Sequence, residues 1–147
     1  MTDLKNKVVL VTGGATHIGQ AVVKELKSLG AEVIIADINQ EQGHLVATAT
    51  QSRYEYLDLA NDDSIQALSA KLTQLDILVN LACLYEDHGS QSTRQDWQNT
   101  FNVTVFGHAA LVQACRPMLQ ASNDGAVINI SSVSARIAQK ERWVYPA

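Results

Sequence analysis

A chain of 147 residues, 46% of them hydrophobic and 18% charged, is long enough for one domain with its own core and too apolar to be disordered. The net charge of −4 comes with no basic patch, which argues against nucleic acid as a partner. No apolar run approaches the ~20 residues that span a bilayer, so no membrane role is expected. The start Met1-Thr2-Asp3-Leu4-Lys5 carries no basic-then-apolar leader, and two cysteines, Cys83 and Cys115, suit a reducing compartment; together they imply a cytoplasmic protein.

The first element is Val8-Val9-Leu10-Val11, a run of apolar and mostly β-branched residues that reads as a parallel strand buried on both faces. Gly13 and Gly14 break it. From about His17 the apolar residues recur at helical spacing as Ile18, Val22, Leu26 and Leu29. A strand that passes through a glycine-rich turn into a helix gathers free backbone N–H groups and the positive end of the helix dipole at one point, where a pyrophosphate can sit. The second strand, residues 32–36, ends in Asp37. An acidic side chain there can accept from the ribose 2′- and 3′-hydroxyls of a dinucleotide and repels a 2′-phosphate, so the site is expected to favour NAD over NADP.

A helix over about residues 40–50 follows, with Leu45, Val46 and Ala49 as its expected buried side. Residues 54–57 form a short third strand that leads to Asp58 and Leu59. Asp62 or Asp63 then caps a helix whose apolar face is Ile65, Leu68, Leu72 and Leu75. The fourth strand covers residues 76–80, and a polar loop runs from Leu81 to Ser92. The longest helix begins near Thr93 and carries Trp97, Phe101, Val105, Val112, Cys115 and Leu119 along one stripe, with a kink expected at Pro117. Asn123-Asp124-Gly125 turns the chain into a fifth strand over residues 126–130. Strands joined by such helices require right-handed crossovers and a parallel sheet covered on both faces, an α/β fold. Its ligand crevice lies beyond the carboxyl ends of the strands, at residues 13–19, Asp37, Asp58, residues 80–83 and from Ser131 onward.

Read together, the turn Thr12-Gly13 to Ile18-Gly19, Asp58-Leu59, Asn80-Leu81-Ala82-Cys83, Asn129-Ile130-Ser131-Ser132 and the spacing from Ser132 to Tyr145 resemble the short-chain dehydrogenase/reductase family along the whole chain. The resemblance implies a Rossmann-type doubly wound sheet and a nicotinamide-dependent oxidoreductase acting on a small-molecule alcohol or ketone. It places Gly13, Thr16, His17, Ile18 and Gly19 at the cofactor turn, Asp58 and Leu59 beside the adenine, and Asn80 and Ala82 near the cofactor ribose. Ser132 would hold the substrate oxygen and Tyr145 would be the acid/base. Hydride transfer at a carbinol carbon needs a proton to leave or join the oxygen, which a positioned phenol can do, while a serine hydroxyl can stabilise the developing alkoxide. Family members commonly pair through the long helix, so a homo-oligomer is implied.

Three departures from the family pattern stand out. His17 replaces the middle glycine of the turn, and weaker or displaced cofactor binding is expected from it. Thr104 stands where the family usually has a catalytic asparagine; it either holds a water or bonds back to a helix carbonyl. The chain ends at Tyr145-Pro146-Ala147, short of the lysine in the family's Tyr-x-x-x-Lys. A tyrosine ionises near pH ~10, so without a nearby cation about one phenol in a thousand is ionised at pH 7. The expectation is therefore the N-terminal portion of a single dinucleotide-binding domain, with little or no turnover by the 147-residue chain. Tyr145, preceding Pro146, is expected at or just before a helix start.

Cys83, Glu86, Asp87 and His88 lie close in sequence, but no helical face organises them and no metal site is expected. His44 and His108 read as surface or packing residues, and Arg136, Arg142 and Trp143 border the region where substrate is implied. Two functions remain open from the sequence: an NAD-dependent alcohol or ketone oxidoreductase, and a non-catalytic dinucleotide-binding or assembly module on the same fold.

Overall fold

The computed structural model describes residues 3–147. Five strands, β1 (Val8–Thr12), β2 (Glu32–Asp37), β3 (Arg53–Tyr56), β4 (Ile77–Asn80) and β5 (Ala126–Asn129), form one parallel sheet in the order β3-β2-β1-β4-β5. The helices are α1 (His17–Ser28), α2 (Gln40–Thr50), α3 (Asp62–Ser69), α4 (Arg94–Phe101) and α5 (His108–Ala121), the last two joined by a π-helical turn over Asn102–Gly107. Strand order reverses between β1 and β4, which opens a crevice at their carboxyl ends.

Alternation along the strands builds two cores. Leu10, Ile34 and Leu78 face Ile65 and Leu68 of α3 and Leu111 and Cys115 of α5. Val9, Val11, Val33 and Ile35 face Val23 of α1 and Val46 and Ala47 of α2. All five residues of β1 are buried, as its unbroken apolar run requires for a strand covered on both faces. The sheet is thus doubly wound, as expected. Among the described residues no helix is long and apolar enough to cross a membrane.

Several local expectations are corrected. The buried side of α2 is Gly43, Val46 and Ala47, while Leu45 and Ala49 are exposed. A Cβ on Gly43 would lie 2.2 Å from the Tyr54 ring, so α2 sits closest to the sheet at a residue with no side chain to reveal it. The same holds for α1, where Ile18 is exposed and Gly19 and Val23 are buried. Asn61, rather than Asp62 or Asp63, caps α3, accepting from the N–H groups of Asp63 and Ser64; the two aspartates occupy the first turn, where the dipole favours negative charge. That helix ends at Ser69, so buried Leu72 and Leu75 lie on the connection that follows it.

In the long helical stretch Thr93 and Asp96 form a reciprocal capping box, as the start near Thr93 anticipates. The break falls at the π turn, whereas Pro117 stays inside α5. The extra residue of that turn shifts the stripe, so Leu111, Cys115 and Leu119 are buried and Val105 is exposed. β5 pairs with β4 along its length, yet all four of its residues are exposed, and it forms an edge of the sheet.

Candidate functional site

The turn after β1 is shaped by two close approaches. Gly13 adopts φ +69°, and a Cβ there would lie 2.8 Å from the Ala82 Cα; a Cβ on Gly19 would lie 2.1 Å from the Gly13 carbonyl oxygen. Neither position admits a larger residue without moving backbone. Thr16 caps α1: its hydroxyl donates to the Gly13 carbonyl (2.7 Å) and accepts from the Gly19 N–H (3.2 Å). The Thr16 side chain therefore holds the turn rather than facing a ligand. His17 and Ile18 have exposed side chains, and among the described residues their backbone N–H groups find no partner. Two adjacent orphan donors at a helix N-terminus suit a phosphate.

Asp37 closes the turn from the next strand. Its Oδ2 accepts from the Ala15 N–H (3.0 Å) and its Oδ1 from the Asn39 N–H (2.9 Å), while its carbonyl accepts from the Tyr54 hydroxyl (2.8 Å). The residue is buried, and each carboxylate oxygen keeps a further lone pair. Asp58, half-buried, accepts from the Ala60 N–H through Oδ1 (2.9 Å). Leu59 turns its side chain into the core, which leaves its backbone for any ligand.

At the end of β4, Asn80 donates through Nδ2 to the Asn129 Oδ1 (2.8 Å), and among the described residues its own buried Oδ1 finds no hydrogen-bond partner. An orphaned buried acceptor in the crevice fits a ligand that brings a hydroxyl or amide donor. The Thr12 hydroxyl accepts from the N–H groups of Leu81 (3.0 Å) and Ala82 (3.2 Å). It also meets the His108 Nε2 at 3.3 Å, while His108 Nδ1 reaches the Thr104 carbonyl at 3.1 Å. A carbonyl only accepts, so Nδ1 carries the proton and Nε2 accepts from Thr12. Burial pushes the His108 pKa down, partly offset by the bond to Thr104, so the ring is neutral at pH 7. His108, read from the sequence as a surface or packing residue, thus ties the π turn to the first strand. The Thr104 hydroxyl faces the Leu84 N–H at 3.5 Å.

Ser132 caps a short 3-10 turn over Val133–Ala135, accepting from the Ser134 N–H and donating to the Ser134 hydroxyl, both at 3.1 Å. Tyr145 is half-buried in a turn closed by the Ala147 N–H on the Val144 carbonyl. Its hydroxyl meets that of Tyr85. Among the described residues no hydrogen bond joins Ser132 to Tyr145. The Cys83–His88 loop holds structure: Glu86 accepts from Asn99 and Asp87 from backbone N–H groups of the Tyr145 segment. Tyr85, His108 and the structural role of Asp87 escaped sequence reasoning, since contacts across 56 to 96 residues leave no periodic signal.

A parallel sheet with this strand order, a glycine turn offering orphan N–H groups and an acidic residue closing β2 are the features of the dinucleotide-binding class of α/β folds. Residues 7–147 match the family model described as short chain dehydrogenase, and the chain belongs to that family of oxidoreductases, which bind nicotinamide dinucleotides. It is 32% identical over 139 residues to dehydrogenase/reductase SDR family member 6 of Aquarana catesbeiana, covering 93% of this chain and 56% of that protein. It is 31% identical over 149 residues to D-xylose 1-dehydrogenase of Caulobacter vibrioides, covering 97% and 60% respectively. The chain therefore spans less than two thirds of the length of these relatives. Among solved structures it superposes on the Pseudomonas aeruginosa RhlG/NADP active-site complex with a TM-score of 0.91 at 27% identity, covering 99% of this chain and 62% of that one. A neighbour holding NADP gives no preference for NAD.

Proposed function

We propose that this chain carries the cofactor site and the serine–tyrosine pair of an oxidoreductase acting between a nicotinamide cofactor, NAD rather than NADP, and a secondary alcohol or ketone. The observation that carries the cofactor choice is the buried Asp37 carboxylate bound to the Ala15 N–H, because a 2′-phosphate near it would meet fixed negative charge. In this reading the N–H groups of His17 and Ile18 hold the pyrophosphate on a turn that Gly13, Thr16 and Gly19 shape. Asp37 takes the adenosine ribose, Asp58 and the Leu59 backbone border the adenine, and Asn80 and Ala82 border the nicotinamide ribose. The bound cofactor supplies or accepts the hydride. Tyr145 moves the proton at the substrate oxygen, Ser132 donates to that oxygen once its hydroxyl leaves Ser134, and Thr104 anchors water beside them.

Residues 3–147 act here as one dinucleotide-binding unit whose exposed β5 edge receives further polypeptide, and exposed Val105 and Phe106 beside α5 support pairing of two copies. Polyols and aldoses are the first substrates to screen, since D-xylose 1-dehydrogenase and D-threitol dehydrogenase are among the relatives.

Calorimetric titration with both cofactors tests the reading. NAD is expected to bind roughly tenfold or more tighter than NADP, a difference of about 1.4 kcal/mol, and Asp37→Ala to remove most of that difference. NADP binding equal to or tighter than NAD would reverse the assignment.

A further inference from the structure

One loop grips Tyr145 at two places. The Tyr85 ring stacks on the Tyr145 ring, with centroids 4.4 Å apart and 28° between the planes, and the two hydroxyls meet at 3.2 Å. Two residues further on, the Asp87 carboxylate accepts from the N–H groups of Trp143, Val144 and Tyr145, each at 2.9 Å on Oδ2, and from Gly89 at 3.0 Å on Oδ1. Val144, between the two aromatic residues, is buried. The segment that presents the Tyr145 hydroxyl is thus held by its backbone and by its oxygen from residues 85–87, which lie just past the carboxyl end of β4.

We propose that Tyr85 and Asp87 are positioning residues for Tyr145: Asp87 fixes the backbone that carries the phenol, and the Tyr85 hydroxyl donates to the Tyr145 oxygen and stabilises its phenolate. The proposal rests on the reading of Tyr145 as the acid/base. When Tyr145 has given up its proton its oxygen can only accept, and Tyr85 is the hydroxyl placed to donate to it. A hydrogen bond to an ionised oxygen is roughly twice as strong as one between neutral groups, so the contact strengthens when the phenolate forms. The proton balance is simple. In alcohol oxidation the substrate hydroxyl proton passes to Tyr145, in ketone reduction it returns, and Tyr85 keeps its own proton throughout.

The electrostatics of the loop agree with that division of labour. The bond to Tyr145, the neighbouring Cys83 thiol and burial together push the Tyr85 pKa well above the usual phenol range, which keeps Tyr85 a donor. Burial pushes the Asp87 carboxyl up, but the N–H groups of Tyr145, Trp143, Gly89 and Val144 outweigh it and hold the pKa below the usual carboxylate value. Asp87 is therefore ionised wherever Tyr145 works.

Tyr85→Phe keeps the stacked ring and removes one O–H, and Tyr85 is exposed enough that the fold does not depend on that group. Independently of turnover, the Cζ resonance of Tyr145 in the chain labelled with 13C-tyrosine, assigned through Tyr145→Phe, is expected to move in Tyr85→Phe. Asp87→Ala is expected to speed amide exchange of residues 143–145 by about tenfold while the rest of the chain exchanges as before. An unmoved Tyr145 resonance in Tyr85→Phe would overturn the role of Tyr85, and unchanged exchange in Asp87→Ala that of Asp87. Full turnover by Tyr145→Phe would instead sink the acid/base reading of Tyr145, whatever Tyr85→Phe does to the resonance.

Discussion

β1 and β5 are both parallel partners of β4, yet every residue of β1 is buried and every residue of β5 is exposed. The half of the site built on β1 and β2 is fixed by groups that are themselves locked. Asp37 and Thr12 are buried and each holds backbone N–H groups of the crevice, and Gly19 is pressed against Gly13. The half that follows β5 is built on an edge strand whose residues are exposed. Among the described residues Ser132 bonds only within its own turn, and Tyr145 is held by Asp87 and Tyr85, two residues of a loop. On the proposed reading the cofactor turn is rigid while Ser132 and Tyr145 hang on a few loop contacts, and the two halves should respond differently to mutation.

The largest expected contrast is in packing. Gly19→Ala forces a methyl against the Gly13 carbonyl and is expected to cost about 3 kcal/mol in urea unfolding, whereas Ile128→Thr on the exposed edge should change stability by less than about 0.5 kcal/mol. Equal losses would erase the distinction between the halves.

Next comes Asp76, buried at the opposite end of the sheet, where its carboxylate accepts from the Val8 N–H, the Ser122 hydroxyl and the Gln74 amide. Burial raises its pKa, but the bonds from Ser122, Val8 and Gln74 and the charge of Lys7 outweigh that, and the net pKa lies below the ordinary value of 3.8. Because the folded pKa is depressed, the stability this carboxylate contributes is present above the ordinary value and is lost as pH falls through the lowered one. Asp76→Ala is expected to cost about 2 kcal/mol near pH 7 and to flatten the fall in stability below about pH 4, measured by urea unfolding at several pH values. An acid limb as steep as the parent's would assign it to other carboxylates.

The smallest effect concerns the departure from the family's glycine pattern. His17→Gly is expected to tighten NAD binding roughly fivefold, about 1 kcal/mol, by letting the backbone approach the pyrophosphate, and calorimetry reads this directly. An affinity that does not rise would show that the exposed imidazole costs the site nothing.

The sequence made the half built on β1 and β2 legible because its signals are local: an apolar strand, a glycine turn and an acid at the next strand end. It misled about helix faces where the closest packing falls on Gly19 and Gly43, since a residue without a side chain leaves a gap in the apolar stripe. The π turn did the same for the long helix by shifting the face after Phe101. Tyr85, Asp87 and His108 stayed hidden because their partners, Tyr145, the 143–145 backbone and Thr12, lie far along the chain and are joined by loops or across the sheet.

The central claim is that the bend after β1 closes on a nucleotide diphosphate with Asp37 at its side, and adding NAD to the 15N-labelled chain tests it most directly. The amide resonances of residues 14–19, Asn39 and Ala82 are expected to move together in a saturable titration. Saturable binding that leaves those amides in place, or that shifts only residues remote from the ends of β1, β2 and β4, would contradict it.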